Sequence, residues 1–584
     1  MTDLTPDHVA ELASRLYNES PGGHEPSGMT QAPTAPIDPA ADSSFREQVQ
    51  APSFPLPNDG VPGSHSQIHV PILNSPSPTA TLGDGNPGDG FRPPAALGRF
   101  SDRIPTTSAP VAESQTDGLR AFVQNIRRSD YRSSTEAFPA EKPDSPASVR
   151  PAPARQQTSH LGYGDPVPYA RDDRANGYGA RALDVDAVRQ DFPILHQRVH
   201  GRPLAWLDNA ATTQKPQSVI DTLSHFYERD NSNIHRAAHT LAARATDAFE
   251  QARDKVRDFL GASSSKEIVF VRGTTEAINL VAQTWGRKFL QPNDEIILST
   301  LEHHANIVPW QFVAKETGAR LRVIPVNDRG EIILEDYQSL LGPRTKLVAI
   351  AHASNSLGTL LPVAEMTQMA KRYGARVLID GAQTVAHVPV NVQQLGSDFY
   401  VFSGHKIFGP TGIGVLHARE ELLEIMPPWQ GGGSMIKNVT FEETTFAEPP
   451  AKFEAGTPNI ADAVGLGSAL DYVTQFGLPN IAKYEHELLE YTTEQLSRIN
   501  GLRLIGTARE KVGVISFVLK NRKTEEVGRM LDLEGIAVRA GHHCSQPSLR
   551  RFGVEATVRP SLAFYNTVGE IDRLAEAIRR IQRM

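Results

Sequence analysis

From residue 182 onward, short apolar runs alternate with segments of helical periodicity, and this alternation restricts the chain to few folds. Strands that alternate with helices are typical of an α/β fold with a mainly parallel, doubly wound sheet. Ligands of such sheets bind beyond the carboxyl ends of the strands. The sequence therefore predicts functional residues directly after the strands. The predicted strands are Glu267–Val271, Glu295–Ser299, Leu321–Val326, Leu347–Ala351, Val377–Asp380, Phe399–Phe402 and Gly414–His417.

The alternation weakens after about Gly433. A long helical stretch near Ile481–Ile499 and a strand pair, Leu502–Ile505 and Val514–Leu519, predict a smaller α+β unit there. We therefore expect a large domain over residues 182–433 and a small C-terminal domain over residues 434–584.

The first 181 residues have a different composition. They hold 25 of the 43 prolines, with many Gly, Ser and Ala residues and few apolar clusters, which predicts a disordered leader. Two short amphipathic stretches, Thr5–Tyr17 and Leu119–Ile126, are the exceptions. Short helices on a flexible tether suit binding in the groove of a partner. An incidental apolar stripe in a spacer is the alternative for each.

Overall composition excludes several classes of protein. A net charge of −8 gives no basic face for nucleic acid. The chain has no run of about 18 apolar residues, so no membrane helix is predicted. Its acidic N-terminus is unlike a secretory signal. A cytoplasmic protein is expected. Cys544 is the single cysteine, which excludes an intrachain disulfide and a zinc or iron–sulfur site built from this chain's thiolates.

Lys406 has an unusual setting for a lysine. It follows an apolar run and lies between Ser403-Gly404 and a Gly-Pro-Thr-Gly turn at 409–412. Small residues let a phosphate approach the backbone, and the amine can form a Schiff base with an aldehyde cofactor such as pyridoxal phosphate (PLP). A solvent-facing loop lysine is the alternative.

Two further strand ends carry candidate cofactor contacts. Asp380 ends an apolar run, and a buried carboxylate there needs a positive partner such as the protonated pyridine nitrogen of PLP. The alternative is an N-cap aspartate. Thr274 and Thr275 join a strand to a helix, and hydroxyl residues at a helix N-terminus favour a phosphate site. Plain capping by Thr274 is the alternative.

The adjacent histidines His303 and His304 give a weak metal signal. Neighbouring side chains point apart, and no further ligand follows at regular spacing. We favour one of the two histidines lying flat on an aromatic cofactor over a structural histidine.

Cys544 lies in the loop Arg539-Ala-Gly-His-His-Cys. One arginine and two histidines predict an electropositive loop that favours a reactive thiolate, whereas an inert core cysteine is the alternative. Arg559 follows this loop and offers a fork for a substrate carboxylate.

From about Ala182 to the C-terminus, many ordered motifs resemble the SufS-type, PLP-dependent cysteine desulfurases, which are class V members of the fold-type I enzymes. The matching stretches are LDNAATTQKP, NIHRAAHTLA, VFVRGTTEAINLVAQTWG, EHHANIVPWQ, LIDGAQTVAHVPV, DFYVFSGHKIFGPTGIGVL, PPWQGGGSMI, FEAGTPN and IAVRAGHHCSQP. The resemblance implies the fold-type I PLP transferase fold and conversion of L-cysteine to L-alanine, with Cys544 receiving the sulfur as a persulfide.

The resemblance also implies residue roles. Lys406 would carry PLP, Asp380 would meet the ring nitrogen, and His303 would stack on the ring and assist proton transfer. Further implied cofactor contacts are Gln383 at the ring hydroxyl and, at the phosphate, Thr275, Ser403, His405 and a second subunit's Thr457. Implied substrate contacts are Asn355, Arg559, Arg539 and, from an interface loop, His235 and Arg236. A homodimer is therefore expected.

The resemblance extends to partners. The compact cysteine loop is similar to that of enzymes that need a sulfur acceptor of the SufE or SufU kind, for iron–sulfur cluster assembly or sulfur storage. The leader resembles that of cysteine desulfurase cargo in family 2 encapsulin shells, so residues 1–181 are expected to direct loading into such a compartment. Three alternatives are a selenocysteine lyase, another class V aminotransferase, and a scaffold whose working part is the leader.

Overall fold

The computed structural model describes residues 183–235 and 238–584. The predictions for the leader, including Thr5–Tyr17 and Leu119–Ile126, lie outside the described residues. Arg236 lies outside them too.

The described residues form fifteen α-helices and seventeen strands. The helices are α1 Val185–Gln190, α2 Gln217–His225, α3 Thr240–Leu260, α4 Thr274–Val281, α5 Arg287–Phe289, α6 Val308–Thr317, α7 Leu334–Leu340, α8 Val363–Arg372, α9 Val392–Leu395, α10 Glu420–Ile425, α11 Ile460–Thr474, α12 Leu478–Ser497, α13 Thr524–Leu533, α14 Gln546–Arg551 and α15 Val568–Arg583. The strands are β1 Arg198–Val199, β2 Arg202–Pro203, β3 Ala205–Trp206, β4 Ile268–Val271, β5 Glu295–Ser299, β6 Arg320–Ile324, β7 Thr345–Ala351, β8 Arg376–Asp380, β9 Phe399–Ser403, β10 Gly414–Ala418, β11 Ile436–Val439, β12 Thr444–Phe446, β13 Leu502–Ile505, β14 Ser516–Leu519, β15 Ile536–Ala537, β16 Arg539–Gly541 and β17 Thr557–Arg559.

Seven strands form one sheet in the order β4-β10-β9-β8-β7-β5-β6. The neighbours from β9 to β6 are all parallel. Their register pairs Ala351 with Asp380 and Asp380 with Val401, so the carboxyl ends of β7, β8 and β9 lie together. The residues that follow these strands are thereby placed at one edge of the sheet.

Strand β10 departs from the parallel pattern, since it runs antiparallel to both β9 and β4. Parallel neighbours need a crossover of about a dozen residues or more, usually helical. The link between β9 and β10 is the short segment 404–413, which contains only the 3-10 turn Gly404–Lys406. Strand β10 is therefore an antiparallel member of the sheet, which is mainly parallel as predicted.

Apolar side chains of alternate residues in β9 enter two different cores. Tyr400 and Phe402 pack in one buried cluster, and Phe399 and Val401 pack in another. A strand buried on both faces reads as a continuous apolar run, which explains the sequence pattern. The two cores confirm the doubly wound α/β fold.

The C-terminal region contains a second sheet, with four strands in the order β13-β14-β17-β16. It shares a buried core with helices α12, α13 and α15. Strand β3 pairs with β15, and Ala205 and Leu207 pack in this same core. The polar residues after β3 are thus fixed against the C-terminal sheet. The domain boundary at 433/434 stays a prediction.

No helix among the described residues is both long and apolar enough to cross a bilayer.

Candidate active site

A cavity of about 330 Å³ lies at the carboxyl ends of β7, β8 and β9. All three predicted catalytic residues, Lys406, Cys544 and His303, line it. The other predicted residues in its wall are Asp380, Gln383, Thr274, Thr275, Ser403, His405, Asn355, Arg539 and Arg559. Residues from most of the chain's described length therefore converge on one pocket.

Thr457 and His235 lie elsewhere. They line a separate cavity of about 550 Å³, together with Ser434 and Gly456. Within one chain, neither residue is in the wall of the pocket that holds Lys406. This placement is what a contribution to another subunit would require.

The turn that carries Lys406 is clamped from the segment after β3. The carbonyl oxygen of His405 accepts hydrogen bonds from Thr213 N at 3.0 Å and Thr212 Oγ1 at 2.9 Å. Thr213 Oγ1 in turn accepts from Phe408 N at 2.7 Å. Burial lowers the pKa of the Lys406 amine below its ordinary value; Arg559 adds to this, and Asp380 opposes it. A buried, fixed amine of this kind is poised to act as a nucleophile.

Asp380 ends β8 and is buried. Its Oδ1 accepts a hydrogen bond from Ala382 N at 2.9 Å. Burial raises the pKa of this carboxyl, whereas the Ala382 N–H and the charge of Lys406 oppose the rise. A buried carboxylate in this setting fits a cationic ring nitrogen in the cavity. Next to it, Gln383 Nε2 donates to the carbonyl of Ala210 at 2.7 Å.

The N-terminus of α4 forms another part of the wall. Ser403 Oγ accepts a hydrogen bond from Thr274 N at 2.9 Å and contacts Thr274 Oγ1 at 2.8 Å. The N-cap residue is Gly273 and Thr274 is the first residue of the helix, so the capping alternative for Thr274 is wrong. First-turn N–H groups and the hydroxyls of Thr275 and Ser403 together suit an anion such as phosphate. Burial lowers the pKa of nearby His405 to about 4.

His303 is neutral and has a defined tautomer. Burial lowers its pKa to about 3, with further lowering from Lys406, His304 and Arg559. Its Nδ1 accepts a hydrogen bond from Ala305 N at 3.1 Å. Because a backbone N–H can only donate, the ring proton must be on Nε2. His303 can therefore donate a hydrogen bond from Nε2 to a ligand.

Glu302, which the sequence interpretation gave no role, anchors the segment that carries His303. This fully buried carboxyl accepts hydrogen bonds from Asn306 Nδ2 at 2.7 Å and Ala351 N at 3.0 Å, and from Ser299 Oγ. Burial raises its pKa to about 7, against the lowering effect of those three donors. It ties the loop after β5 to the end of β7. An acidic residue directly after a buried strand was the available signal.

The Cys544 loop has a strained backbone. Cys544 and its neighbour His543 have left-handed φ values of 55° and 53°, a conformation that costs energy in residues other than glycine. The Cys544 carbonyl accepts from His304 N at 2.8 Å, and Cys544 N donates to His542 Nδ1 at 3.1 Å. The rings of His304 and His542 stack with centroids 5.8 Å apart. The thiol itself is exposed at the cavity.

The prediction that both loop histidines add positive charge is wrong for His543. Its ring is buried and Nε2 lies 2.8 Å from Thr557 Oγ1. Burial, together with the charges of Arg559 and Arg539, lowers its pKa to about 3. The positive charges that interact with the thiol are those of Arg559 and Lys406.

Arg559 forms the buried end of the pocket. Its Nη1 donates to the Asn355 carbonyl at 2.8 Å, and Nη2 lies 3.2 Å from Asp208 Oδ1. Its Nε is buried with no hydrogen-bond partner among the described residues. Burial lowers its pKa to about 10, so it remains charged at neutral pH. Asn355 Nδ2 donates to His543 O at 2.7 Å and thereby links this end to the thiol loop.

The sequence that forms this site matches a known protein family. Residues 205–574 match the family described as "Aminotransferase class-V". The chain belongs to the class V aminotransferase family. The match begins at β3 and ends within α15, so it covers every side chain described above as lining the 330 Å³ cavity.

Two proteins of known sequence illustrate how similar this chain is to its relatives in the family. A probable cysteine desulfurase of Mycolicibacterium paratuberculosis is 61% identical over 438 residues, which are 75% of this chain and 63% of that protein. A cysteine desulfurase of Escherichia coli O8 is 52% identical over 403 residues, which are 69% of this chain and 99% of that protein. This chain therefore spans less than two thirds of the first relative's length and nearly all of the second's.

Solved structures agree with the class V fold. The apo structure of a cysteine desulfurase from Thermococcus onnurineus NA1 superposes with a TM-score of 0.66 and 36% identity. The superposition covers 69% of this chain and 99% of that chain. This chain therefore shares its fold with nearly the whole length of that protein and has further residues outside the superposed part.

Three residues contact the side chains or the turn of the site although the predictions from the sequence assigned them no role. Asp208, Thr212 and Thr213 contact the arginines or the Lys406 turn. Their signal was a cluster of polar residues directly after a short apolar strand. Groups of three or more metal-ligating side chains are absent from the part of the chain that the structure describes.

Proposed function

We propose that this chain is a PLP-dependent cysteine desulfurase of the SufS type. It would convert L-cysteine to L-alanine and take the sulfur onto its own cysteine. One observation carries the proposal: Lys406 and Cys544, the chain's single cysteine, line the same cavity of about 330 Å³. The activity recorded in the names of the relatives supports it.

The wall of the cavity fits PLP. Lys406 would bind its aldehyde carbon, and Asp380 would pair with its ring nitrogen. Gln383 would meet the ring hydroxyl and His303 would cover the ring face. Thr274, Thr275, Ser403 and His405 would hold its phosphate at the start of α4. When bound, PLP supplies an electron sink that makes the substrate's Cα proton acidic.

The chain's own groups then have separate tasks. The guanidinium of Arg559, which lines the cavity, binds the substrate carboxylate. The amine of Lys406 moves the Cα proton, and the neutral His303 donates from Nε2. The Cys544 thiolate attacks the substrate sulfur, so a sulfur–sulfur bond forms on the enzyme while the carbon–sulfur bond breaks. The electron pair of that bond goes to the substrate side, and protonation of the carbon completes alanine, which leaves. The left-handed loop conformation presents the thiol for this attack.

The test is the Cys544→Ser variant of the full chain. We expect it to keep its bound, yellow cofactor and to lose release of sulfide and alanine from L-cysteine. Undiminished sulfide release by Cys544→Ser would contradict the proposal. L-selenocysteine in the same variant separates a selenocysteine lyase, since selenide leaves without an enzyme thiol. Keto acid in place of alanine would instead indicate an aminotransferase.

A homodimer is part of the proposal. Thr457 and His235 lie outside the cavity that they are expected to serve, so another copy of the chain would have to supply them. The hairpin of β11 and β12 also exposes Val439, Phe441 and Phe446, which a second copy would cover.

Mixed dimers test the shared site. Lys406→Ala and Thr457→Ala subunits, each impaired alone, should together give one intact site per dimer if Thr457 serves its partner. No recovery of alanine formation on mixing would place Thr457 in its own subunit's site or outside catalysis.

The leader and sulfur acceptor complete the proposal. We propose that residues 1–181 direct this enzyme into an encapsulin shell in the cytoplasm, and that a SufE- or SufU-like protein takes the persulfide sulfur. The Mycolicibacterium relative likewise has length outside the matched region. Deleting residues 1–181 should abolish shell association and leave turnover intact. Loss of turnover in the truncated chain would contradict this separation.

A further inference from the structure

Two arginines are direct partners on adjacent strands of the C-terminal sheet. Arg539 of β16 is the direct neighbour of Arg559 in β17. Like charges in this position destabilise a pair of strands. Asp208 compensates both: its Oδ2 lies 2.8 Å from Arg539 Nη2, and its Oδ1 lies 3.2 Å from Arg559 Nη2. One carboxylate therefore serves two guanidinium groups.

Asp208 is fixed behind the pocket wall. It follows β3 and forms a bridge with Ser561, whose N–H donates to the Leu207 carbonyl at 2.7 Å. The Asp208 side chain is 11% exposed, whereas that of Arg539 is 50% exposed. Both arginines line the 330 Å³ cavity, but Asp208 does not. It therefore acts on a ligand through charge and through the arginines, without touching the ligand.

The charges at this wall do not cancel. Two guanidinium groups against one carboxylate leave a single positive charge, and burial of Asp208 and Arg559 limits screening by solvent. The half-exposed Arg539 and the part of the Arg559 guanidinium that lines the cavity are the donors that face a ligand. A single positive charge with free donors matches one carboxylate. A second anionic group on the ligand would find no uncompensated charge here.

We propose that Asp208 is a specificity-determining residue. It selects amino acids that have one carboxylate and an uncharged side chain over those with a second anionic group. The inference rests on the proposed function and deepens it, because the ligand at these arginines is the proposed amino-acid substrate. Removing the carboxylate would leave two uncompensated guanidinium groups, and a dianion would then gain more than a monoanion.

The experiment measures binding of two unreactive probes to the cofactor-loaded full chain by isothermal titration calorimetry. Propionate carries one carboxylate and succinate carries two. The quantity compared is the ratio of the propionate Kd to the succinate Kd. In Asp208→Asn this ratio should rise about tenfold or more, the size expected for one charge several ångströms away in a partly buried site. A ratio within about twofold of wild type would overturn the proposal.

Asp398→Asn is the matched control, because Asp398 is also a buried aspartate that bridges two cations, Lys371 and Arg376, away from the cavity. It should lose stability without changing the ratio. A change as large as that of Asp208→Asn would show a general effect of destabilisation and overturn the assignment.

A second variant guards against failure of Asp208→Asn to fold. Arg539→Gln removes a half-exposed cation and leaves no net charge at the wall, so the ratio should fall. An unchanged ratio in Arg539→Gln would also overturn the proposal. These titrations need no turnover, so their result is separate from the Cys544→Ser test of desulfuration.

Discussion

The backbone N–H of His304 donates a hydrogen bond of 2.8 Å to the carbonyl oxygen of Cys544. The His304 ring adds a second tie, since its Nε2 accepts from Gln546 N at 3.2 Å. The loop after β5 thus holds the chain at Cys544 and again at Gln546. Because the left-handed backbone at Cys544 is costly, the loop's position depends on such ties.

The first prediction concerns this ring. His304→Ala should lower the rate of alanine formation by roughly tenfold to a hundredfold, because small displacements of a reacting group have effects of that size. Cofactor content, read from its visible absorbance, should not change. His486→Ala removes an exposed histidine of α12 and serves as the control. A His304→Ala enzyme as fast as wild type would show that the ring does not position the thiol.

The second prediction concerns His303 and pH. Because burial lowers its pKa to about 3, the ring is neutral at every pH at which the enzyme is expected to work. His303→Gln should therefore lower kcat but leave the inflections of the rate profile unmoved between roughly pH 6 and 9. Alanine formation measured across this range checks the result. If an acid-side inflection disappears in the variant, His303 titrates near neutrality and its assignment as a neutral donor is wrong.

The third prediction concerns Glu302, whose two oxygens accept hydrogen bonds from Ser299, Asn306 and Ala351. Asn306 Oδ1 is occupied by Trp310 Nε1 at 2.9 Å, so Asn306 must present its NH₂ to Glu302. In Glu302→Gln, the new NH₂ group replaces one of the two carboxylate oxygens. In one orientation it faces the NH₂ of Asn306, and in the other it faces the N–H of Ala351, so two donors meet in either case. The free energy of unfolding should fall by about 1–3 kcal/mol, the cost of an unsatisfied buried group.

Urea denaturation measures this loss. Glu316→Gln is the control, since Glu316 pairs with Arg287 at the surface and its loss should lower the free energy of unfolding much less. Equal losses in the two variants would refute the network argument.

The sequence allowed the sheet and the pocket to be predicted because both depend on local patterns. A strand buried on both faces, such as β9, is a continuous apolar run, and the residue after it is placed by the parallel register. Lys406, Asp380 and His303 could therefore be assigned to one site before the structure was known.

Other contacts could not be predicted from local patterns. The reversal of β10 depends on the length of a link, and Asp208 acts through arginines more than three hundred residues later in the chain. Burial decided the charge of His543, which the sequence alone presents as a basic neighbour of the thiol. Such effects arise from tertiary packing, for which a single sequence carries no periodic signal.

The last feature is a buried ion pair behind the pocket. His387, in the segment after Asp380, has its Nδ1 2.8 Å from Glu485 Oε2 of α12. Both side chains are buried. Burial disfavours the charged ring, but the charge of Glu485 and its hydrogen bond outweigh this and raise the pKa of His387. The pair therefore fastens the Asp380 segment to the C-terminal helices.

The fourth prediction is that His387→Leu lowers the free energy of unfolding by about 3–5 kcal/mol, because an unpaired buried carboxylate remains. The double variant His387→Leu/Glu485→Met should lose less, since both charges are gone. The stabilisation that comes from the charged His387 ring should be present below pH 6.5, its ordinary pKa, as long as Glu485 is ionised, and burial raises the pKa of Glu485. It should be lost as the pH rises through the higher folded-state pKa of His387. Urea denaturation of the three proteins at several pH values measures all of this. Additive losses in the double variant would show that the two side chains do not interact. The second contradicting outcome concerns the stability difference between wild type and His387→Leu. If this difference rises over that pH range, the ring is neutral in the folded protein.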